Sequence, residues 1–99
     1  MRMMLRIVMP VEAGNAAIKD GSLPRTIKAL VERLKPEAAY FFSDEGKRAA
    51  LLVFDMQDAS RIPPVVEPLF LGLNAEVRLS PVMSFEDLQK GLSEAAKSR

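Results

Sequence analysis

The sequence predicts an α+β domain in which helices cover one face of a four-stranded antiparallel sheet. Four short segments alternate apolar residues with other residues or are continuously apolar, as strands do. Three other segments repeat apolar residues every three to four positions, as amphipathic helices do. In chain order these segments read βαββαβ, with one further helix at the C-terminus.

The first strand is expected over residues 3–11, where apolar residues occupy every second position. A polar connector follows over 12–22. Within it, Asn15 is expected to cap one turn of helix over 16–20, which Gly21 ends.

The first long helix is expected to begin near Ser22 and to stop before Pro36. Its apolar stripe consists of Leu23, Ile27, Leu30, Val31 and Leu34. The opposite side carries Arg25, Lys28, Glu32 and Lys35, a charge run typical of a solvated helix face.

Two strands over 38–43 and 48–56 are expected to form a hairpin around a polar turn that contains a glycine. Both strands are apolar at consecutive positions, so both of their faces are apolar. Tyr40 and Phe42 point to one face, whereas Phe41 points to the other.

A second helix is expected over 62–73, capped by Asp58 or Ser60 and closed by Asn74. Pro68 lies inside it and is expected to kink it or to delay its start. Residues 75–83 then predict the fourth strand.

The last helix has the clearest local signature. Ser84 is an N-cap residue, and Asp87 stands where a capping box places its acid. The apolar side of this helix consists of Phe85, Leu88 and Leu92, extended by Ala95 and Ala96.

This element order is the ferredoxin-like pattern, and the whole chain is expected to form one domain over 1–99. Two long helices cover only one face of such a sheet, but the hairpin strands are apolar on both faces. A sheet face of several hundred Å² is rarely left in water, and the C-terminal helix alone looks too narrow to cover it. A second copy of the same sheet is the simplest cover, so a homodimer is expected.

Composition excludes several kinds of chemistry. The chain has no cysteine and no histidine, so it has no disulfide, no cysteine nucleophile and no imidazole base or ligand. No metal and no cofactor are expected. A net charge of +1 favours neither nucleic acid nor an anionic membrane as a partner. No apolar run is long enough for a signal peptide or a membrane span, so a cytoplasmic location is expected.

The element order, the length and the doubly apolar hairpin make the chain resemble the dimeric α/β-barrel superfamily. Three stretches, VEAGNAAIKDG (11–21), KPEAAYFF (35–42) and EPLF (67–70), resemble small bacterial members. The resemblance implies two ferredoxin-like sheets packed face to face as a barrel. In enzymatic members the substrate lies between sheet and helices or within the barrel. Several of those enzymes use a histidine, which this chain lacks.

Arg6 is the leading candidate for binding a ligand, because it alternates with apolar neighbours on a strand expected to be central. Arg78 and Glu76 lie on the fourth strand, which should neighbour the first. With Tyr40 as a hydrogen-bond donor, the two arginines could hold a ligand carboxylate. In the alternative interpretation, Arg6 and Glu76 form a cross-strand ion pair and Tyr40 is a core residue.

A second group of candidates lies in the connector after the first strand. Glu12 and Asp20 are candidate bases, and Asn15 and Lys19 are candidate ligand-binding residues. The alternative is a solvated, capped turn without any such role.

Three classes of function stay open at this point. The first is a cofactor-independent isomerase or monooxygenase with Glu12 or Asp20 as base and Tyr40 as donor. The second is a protein that binds an aromatic or carboxylate-bearing small molecule without turnover. The third is a non-catalytic dimerisation or regulatory domain whose apolar sheet face is only an interface.

Overall fold

The computed structural model describes residues 1–98. Its sheet contains β1 (Arg2–Val8), β2 (Ala38–Asp44), β3 (Lys47–Asp55) and β4 (Glu76–Pro81). The strands lie in the order β2-β3-β1-β4, and each neighbouring pair is antiparallel. This is the predicted ferredoxin-like α+β arrangement, and in one chain the sheet stays open.

Four α-helices accompany the sheet over the described residues: α1 (Val11–Lys19), α2 (Ser22–Leu34), α3 (Ile62–Leu73) and α4 (Phe85–Lys97). A 3₁₀ turn over Ala59–Arg61 leads into α3. The element order is therefore β-α-α-β-β-α-β-α, and the single helical turn expected over 16–20 is instead the nine-residue helix α1, which begins at Val11.

The core lies between the sheet and the helices α1, α2 and α3. Every second residue of β1 faces it, and Leu5 and Ile7 are fully buried. Leu52 and Phe54 of β3 lie on the same side. The helices complete the core with Ala17, Leu23, Leu30, Val65, Val66, Leu69 and Leu73.

The junction between β1 and α1 differs from the expectation. The strand ends at Val8, and Val11 is already the first residue of α1 rather than the last of the strand. Pro10 occupies the N-cap position, with φ −60° and ψ 147°. Its carbonyl oxygen accepts the first helical hydrogen bond, from the amide of Gly14 at 2.9 Å. Asn15 therefore lies inside the helix and caps nothing.

The β2–β3 hairpin is tighter than expected, because each strand extends one residue further toward the turn and only Glu45 and Gly46 form it. Both have positive φ angles, 51° and 79°, as a two-residue hairpin turn requires. As a result, Asp44 and Lys47 become a directly opposed pair of the ladder.

Pro68 neither delays nor interrupts α3, which runs continuously from Ile62 to Leu73. A proline lacks the amide hydrogen that would bond the carbonyl four residues earlier, which here belongs to Pro64. The guanidinium of Arg33 in α2 donates to that carbonyl oxygen at 2.7 Å. A side chain of a neighbouring helix thus replaces the missing backbone bond.

Helix α4 projects from the rest of the molecule. Its capping box forms as predicted: Ser84 and Asp87 each accept a hydrogen bond from the other's backbone amide. None of its described side chains is buried. The radius of gyration is 16.0 Å and the longest dimension 55 Å, whereas a compact domain of this length has a radius near about 13 Å.

Candidate functional site

The candidate residues of the strands lie on the sheet face that carries no helices, which we call the open face. Arg6 of β1 lies there between Leu51 of β3 and Arg78 of β4, both directly opposite it. Tyr40 and Phe42 of β2 point to the same face. Alternation in the strands thus brings Arg6, Tyr40 and Arg78 to one side of the sheet, while their roles in binding stay predictions.

Arg6 reaches across β3 to the edge strand β2. Its Nη2 donates to Asp44 Oδ2 at 2.7 Å, and its guanidinium carbon lies 5.6 Å from the centre of the Phe42 ring. The Arg6 and Asp44 side chains are 34% and 30% exposed. The ion pair expected between Arg6 and Glu76 is therefore not formed, because the tight hairpin turn places Asp44 on the open face instead.

Arg78 is the unusual member of the group. It is exposed, and within residues 1–98 it forms no ion pair and no side-chain hydrogen bond. It also lies directly opposite Arg6 in the antiparallel ladder, and two like charges in that position repel each other. An anion bound to Arg78 would relieve the repulsion between Arg78 and Arg6.

A cavity of about 280 Å³ lies beside these two arginines at one end of the open face. The other residues that line it are Val8, Asp44, Glu45, Lys47 and Glu76. It is slightly smaller than the roughly 300–1,000 Å³ typical of ligand pockets, so it fits a small metabolite. The sequence did not indicate Asp44, Glu45 or Lys47, because their position depends on the length of the hairpin turn.

Tyr40 lies away from that cavity, near the middle of the exposed edge strand. Helix α1, which carries Glu12 and Asp20 at or near its ends, packs against α2, α3 and β3 on the helical side of the sheet. In one chain, therefore, the two candidate bases do not share a site with Tyr40.

The residues of the predicted connector have local structural contacts. Asn15 Oδ1 accepts a hydrogen bond from Arg48 Nη1 at 3.0 Å. The Asp20 carboxylate accepts from the backbone amide of Ser22 at 2.8 Å, and the bonds from Ser22 lower the pKa of Asp20. A carboxylate with a lowered pKa is a poor general base near neutral pH. Glu12 and Lys19 are exposed at the two ends of α1.

A second cavity, of about 270 Å³, lies between α2 and α3. Its walls include Leu30, Val65 and Leu69, with Arg25 and Arg33 at the rim. Arg33 already bonds the Pro64 carbonyl. No carboxylate lines this groove, so it offers no acid and base pair for catalysis.

In the part of the chain from Met1 to Ser98, no three Asp or Glu side chains approach closely enough to hold a metal ion. No helix within residues 1–98 has the length and apolar character needed to cross a bilayer.

Comparison with known proteins adds little to this description. No protein-family model and no curated protein matches the chain. Among solved structures, the de novo designed protein Ferredog-Diesel is similar over 82% of this chain and 85% of its own, at 9% identity and a TM-score of 0.48. The ferredoxin-like assignment therefore rests on the element order and the strand order described above.

Proposed function

We propose that this protein is a homodimer that binds a small organic carboxylate in the open-face cavity. The observation that carries the proposal is the pairing of Arg6 with Arg78, of which only Arg6 has a carboxylate partner. The planar guanidinium of Arg78 would bind the ligand carboxylate through two parallel hydrogen bonds. Arg6, held by Asp44, would supply a second positive charge.

The homodimer is part of the proposal because the open face is apolar around the cavity. Tyr40 and Phe42 are exposed on it, next to the partly buried side chains of Met4, Leu51 and Val53. A second copy covering this face would remove the aromatic side chains from water and would enclose a cavity that is open in one chain. This is the face-to-face arrangement that the resemblance to the dimeric α/β-barrel superfamily implies.

A binding role without catalysis is favoured over an enzymatic one. Of the two candidate bases, the Asp20 carboxylate accepts a hydrogen bond from the amide of Ser22, and Glu12 lies in α1 on the helical side of the sheet. An isomerase or monooxygenase would need a base beside the bound carboxylate, and neither of these two candidate bases lines the cavity.

A purely structural dimerisation domain is the second candidate, supported by the exposed aromatic side chains of β2. A thermal-shift screen separates the two. It should use aliphatic and aromatic monocarboxylates, each beside its uncharged primary amide. The binding proposal expects at least one acid to raise Tm while its amide does not. A panel in which no acid acts differently from its amide would leave the dimerisation domain as the better description.

A further inference from the structure

The apolar stripe of α4 is exposed in the structure of residues 1–98. Phe85, Leu88 and Leu92 lie on one side of this helix and are exposed, and Ala95 and Ala96 continue the same side. The helix is nevertheless well specified, because its capping box is complete and its first turn carries Glu86 and Asp87. A well-capped amphipathic helix whose apolar side is exposed is typical of an element that packs against a partner.

The side of β2 that carries Phe41 and Ser43, which we call its outer side, is also exposed. Phe41 points to the helical side of the sheet, where it pairs with Ala50, yet it is exposed. The helices α1 and α3 pack against β3 and β4, whereas β2 packs extensively only against β3. The helical layer therefore stops short of this edge strand.

The strand that leads into α4 and the strand that carries the exposed outer side are the two edges of the sheet. Helix α4 follows β4 after three residues, and β4 and β2 are the two edge strands. Three strand spacings separate them, about 14 Å. Apart from the ion pair between Asp87 of its first turn and Arg2 of β1, at 3.9 Å, α4 makes no extended contact with its own sheet within residues 1–98.

We propose that α4 of each copy packs its stripe along the outer side of β2 of the other copy. The proposal rests on the homodimer proposed above and adds to it the element that joins the two chains. A helix of 13 residues is about 20 Å long, and a strand of 7 residues is about 23 Å long. The two therefore match in length, and the helix extends the helical layer over the strand that lacks it.

Four exposed aromatic side chains supply a large part of the area that a stable dimer needs. Tyr40 and Phe42 on the open face are 66% and 38% exposed, and Phe41 and Phe85 are 57% and 72% exposed. At roughly 200 Å² for a fully exposed aromatic side chain, these four contribute about 900 Å² over two copies. Stable interfaces bury about 1,200–2,000 Å² in total. The two-fold axis makes the α4–β2 contact twice, so it supplies more than half of the aromatic area.

Cross-linking between chains tests this arrangement directly, since the natural sequence has no cysteine. One chain carries Ser43→Cys, on the outer side of β2, and the other carries Gln89→Cys, beside the α4 stripe. A flexible bis-maleimide should join the two chains when they are mixed. Lys90→Cys, on the opposite side of α4, is the matched control and should react much less with Ser43→Cys.

Each other outcome overturns the proposal. A third variant carries both Ser43→Cys and Gln89→Cys in one chain. If the reagent joins the two cysteines only within that chain, α4 folds back on its own sheet. Equal reaction of the Lys90→Cys control, or no reaction of either pair, would mean that α4 does not lie along β2.

Sedimentation of full-length variants separates this proposal from the dimer itself. Leu92→Glu should raise the dimer Kd by at least about a hundredfold, because each dimer buries two copies of Leu92. Ser93→Glu adds the same charge one position along, off the stripe, and should leave Kd nearly unchanged. If Leu92→Glu dimerises like the natural chain, the α4 contact is wrong and the dimer and the ligand site stand. If the natural chain sediments as a monomer, the dimer fails and the α4 contact fails with it.

Discussion

Replacing Arg78 by glutamine should have opposite effects on stability and on binding. In the protein without ligand, Arg78 lies directly opposite Arg6 and has no carboxylate partner within residues 1–98. A like-charge pair in that position costs on the order of 0.2–1 kcal/mol. Arg78→Gln removes this repulsion, so the free energy of unfolding should rise by a similar amount. For a domain of this size the corresponding increase in Tm is about 1–8 °C.

The same substitution should abolish the stabilisation by ligand. A carboxylate at 100 times its Kd adds about 2.7 kcal/mol to the natural protein, which corresponds to roughly 10–20 °C in Tm. Without the guanidinium of Arg78, the same carboxylate should leave Tm unchanged. The assay is a thermal melt of both proteins with and without the acid that gives the largest shift in the screen.

Two control variants sharpen the interpretation. Arg78→Lys keeps the repulsion but loses the planar pair of donors, so it should match the natural Tm without ligand and bind more weakly. Arg6→Met removes the ion pair with Asp44 and the contact with Phe42, so it should lower Tm even without ligand. If Arg78→Gln lowers Tm without ligand, or if the carboxylate shift survives it, Arg78 is not the residue that binds the carboxylate.

Three further predictions concern the dimer, α4 and α1. Phe42→Asp should convert the dimer to a monomer in a sedimentation experiment at roughly 50 µM. Gln57→Asp, on an exposed loop, should leave the dimer intact. Hydrogen bonds from Ser84 lower the pKa of Asp87 below 3.8, so its contribution to helix stability is complete above that pH and is lost as the pH falls through the lowered value. A carboxyl titration followed by NMR checks this, and a midpoint above 3.8 would contradict it. A Cβ at Gly14 would lie 2.7 Å from Arg48 Nη1, so Arg48 would have to shift and give up its bond to Asn15. The helix-propensity gain of Gly14→Ala, about 1 kcal/mol, should therefore be larger by denaturation when Arg48 is also alanine, and equal gains in both backgrounds would refute the contact.

The sequence predicts those parts of the fold whose boundaries are set locally. Helix α2 begins at Ser22 and α3 spans Ile62–Leu73 as expected, because apolar stripes mark them and Asn74 closes α3. The expected N-cap of α3 is wrong, since Asp58 caps the 3₁₀ turn before it and no side chain caps α3 itself. The capping box of α4 forms for the same reason. Face assignment in the strands is also predictable, since alternation alone decides that Leu5 and Ile7 are buried while Arg6 is not.

Features that depend on contacts distant in sequence could not be predicted. Helix α1 contains Gly14 and Asn15, two residues that favour turns, and it is stabilised by packing against Arg48 and by burial of Ala17. The carboxylate partner of Arg6 depends on the hairpin register, because one residue more or less in the turn would move Asp44 to the other face. The cavity depends on the hairpin register in the same way, because Asp44 is part of its wall.

The hydrogen bond from Arg33 to the Pro64 carbonyl couples the local unfolding of α2 to that of α3. Wherever a helix satisfies its own carbonyls, its opening exposes only its own backbone. Here, separation of α2 from α3 also leaves the carbonyl oxygen of Pro64 without the donor that replaces the amide missing from Pro68. Amide protons of the two helices should therefore exchange with deuterium as one cooperative group, and this group should be more protected than those of the projecting α4.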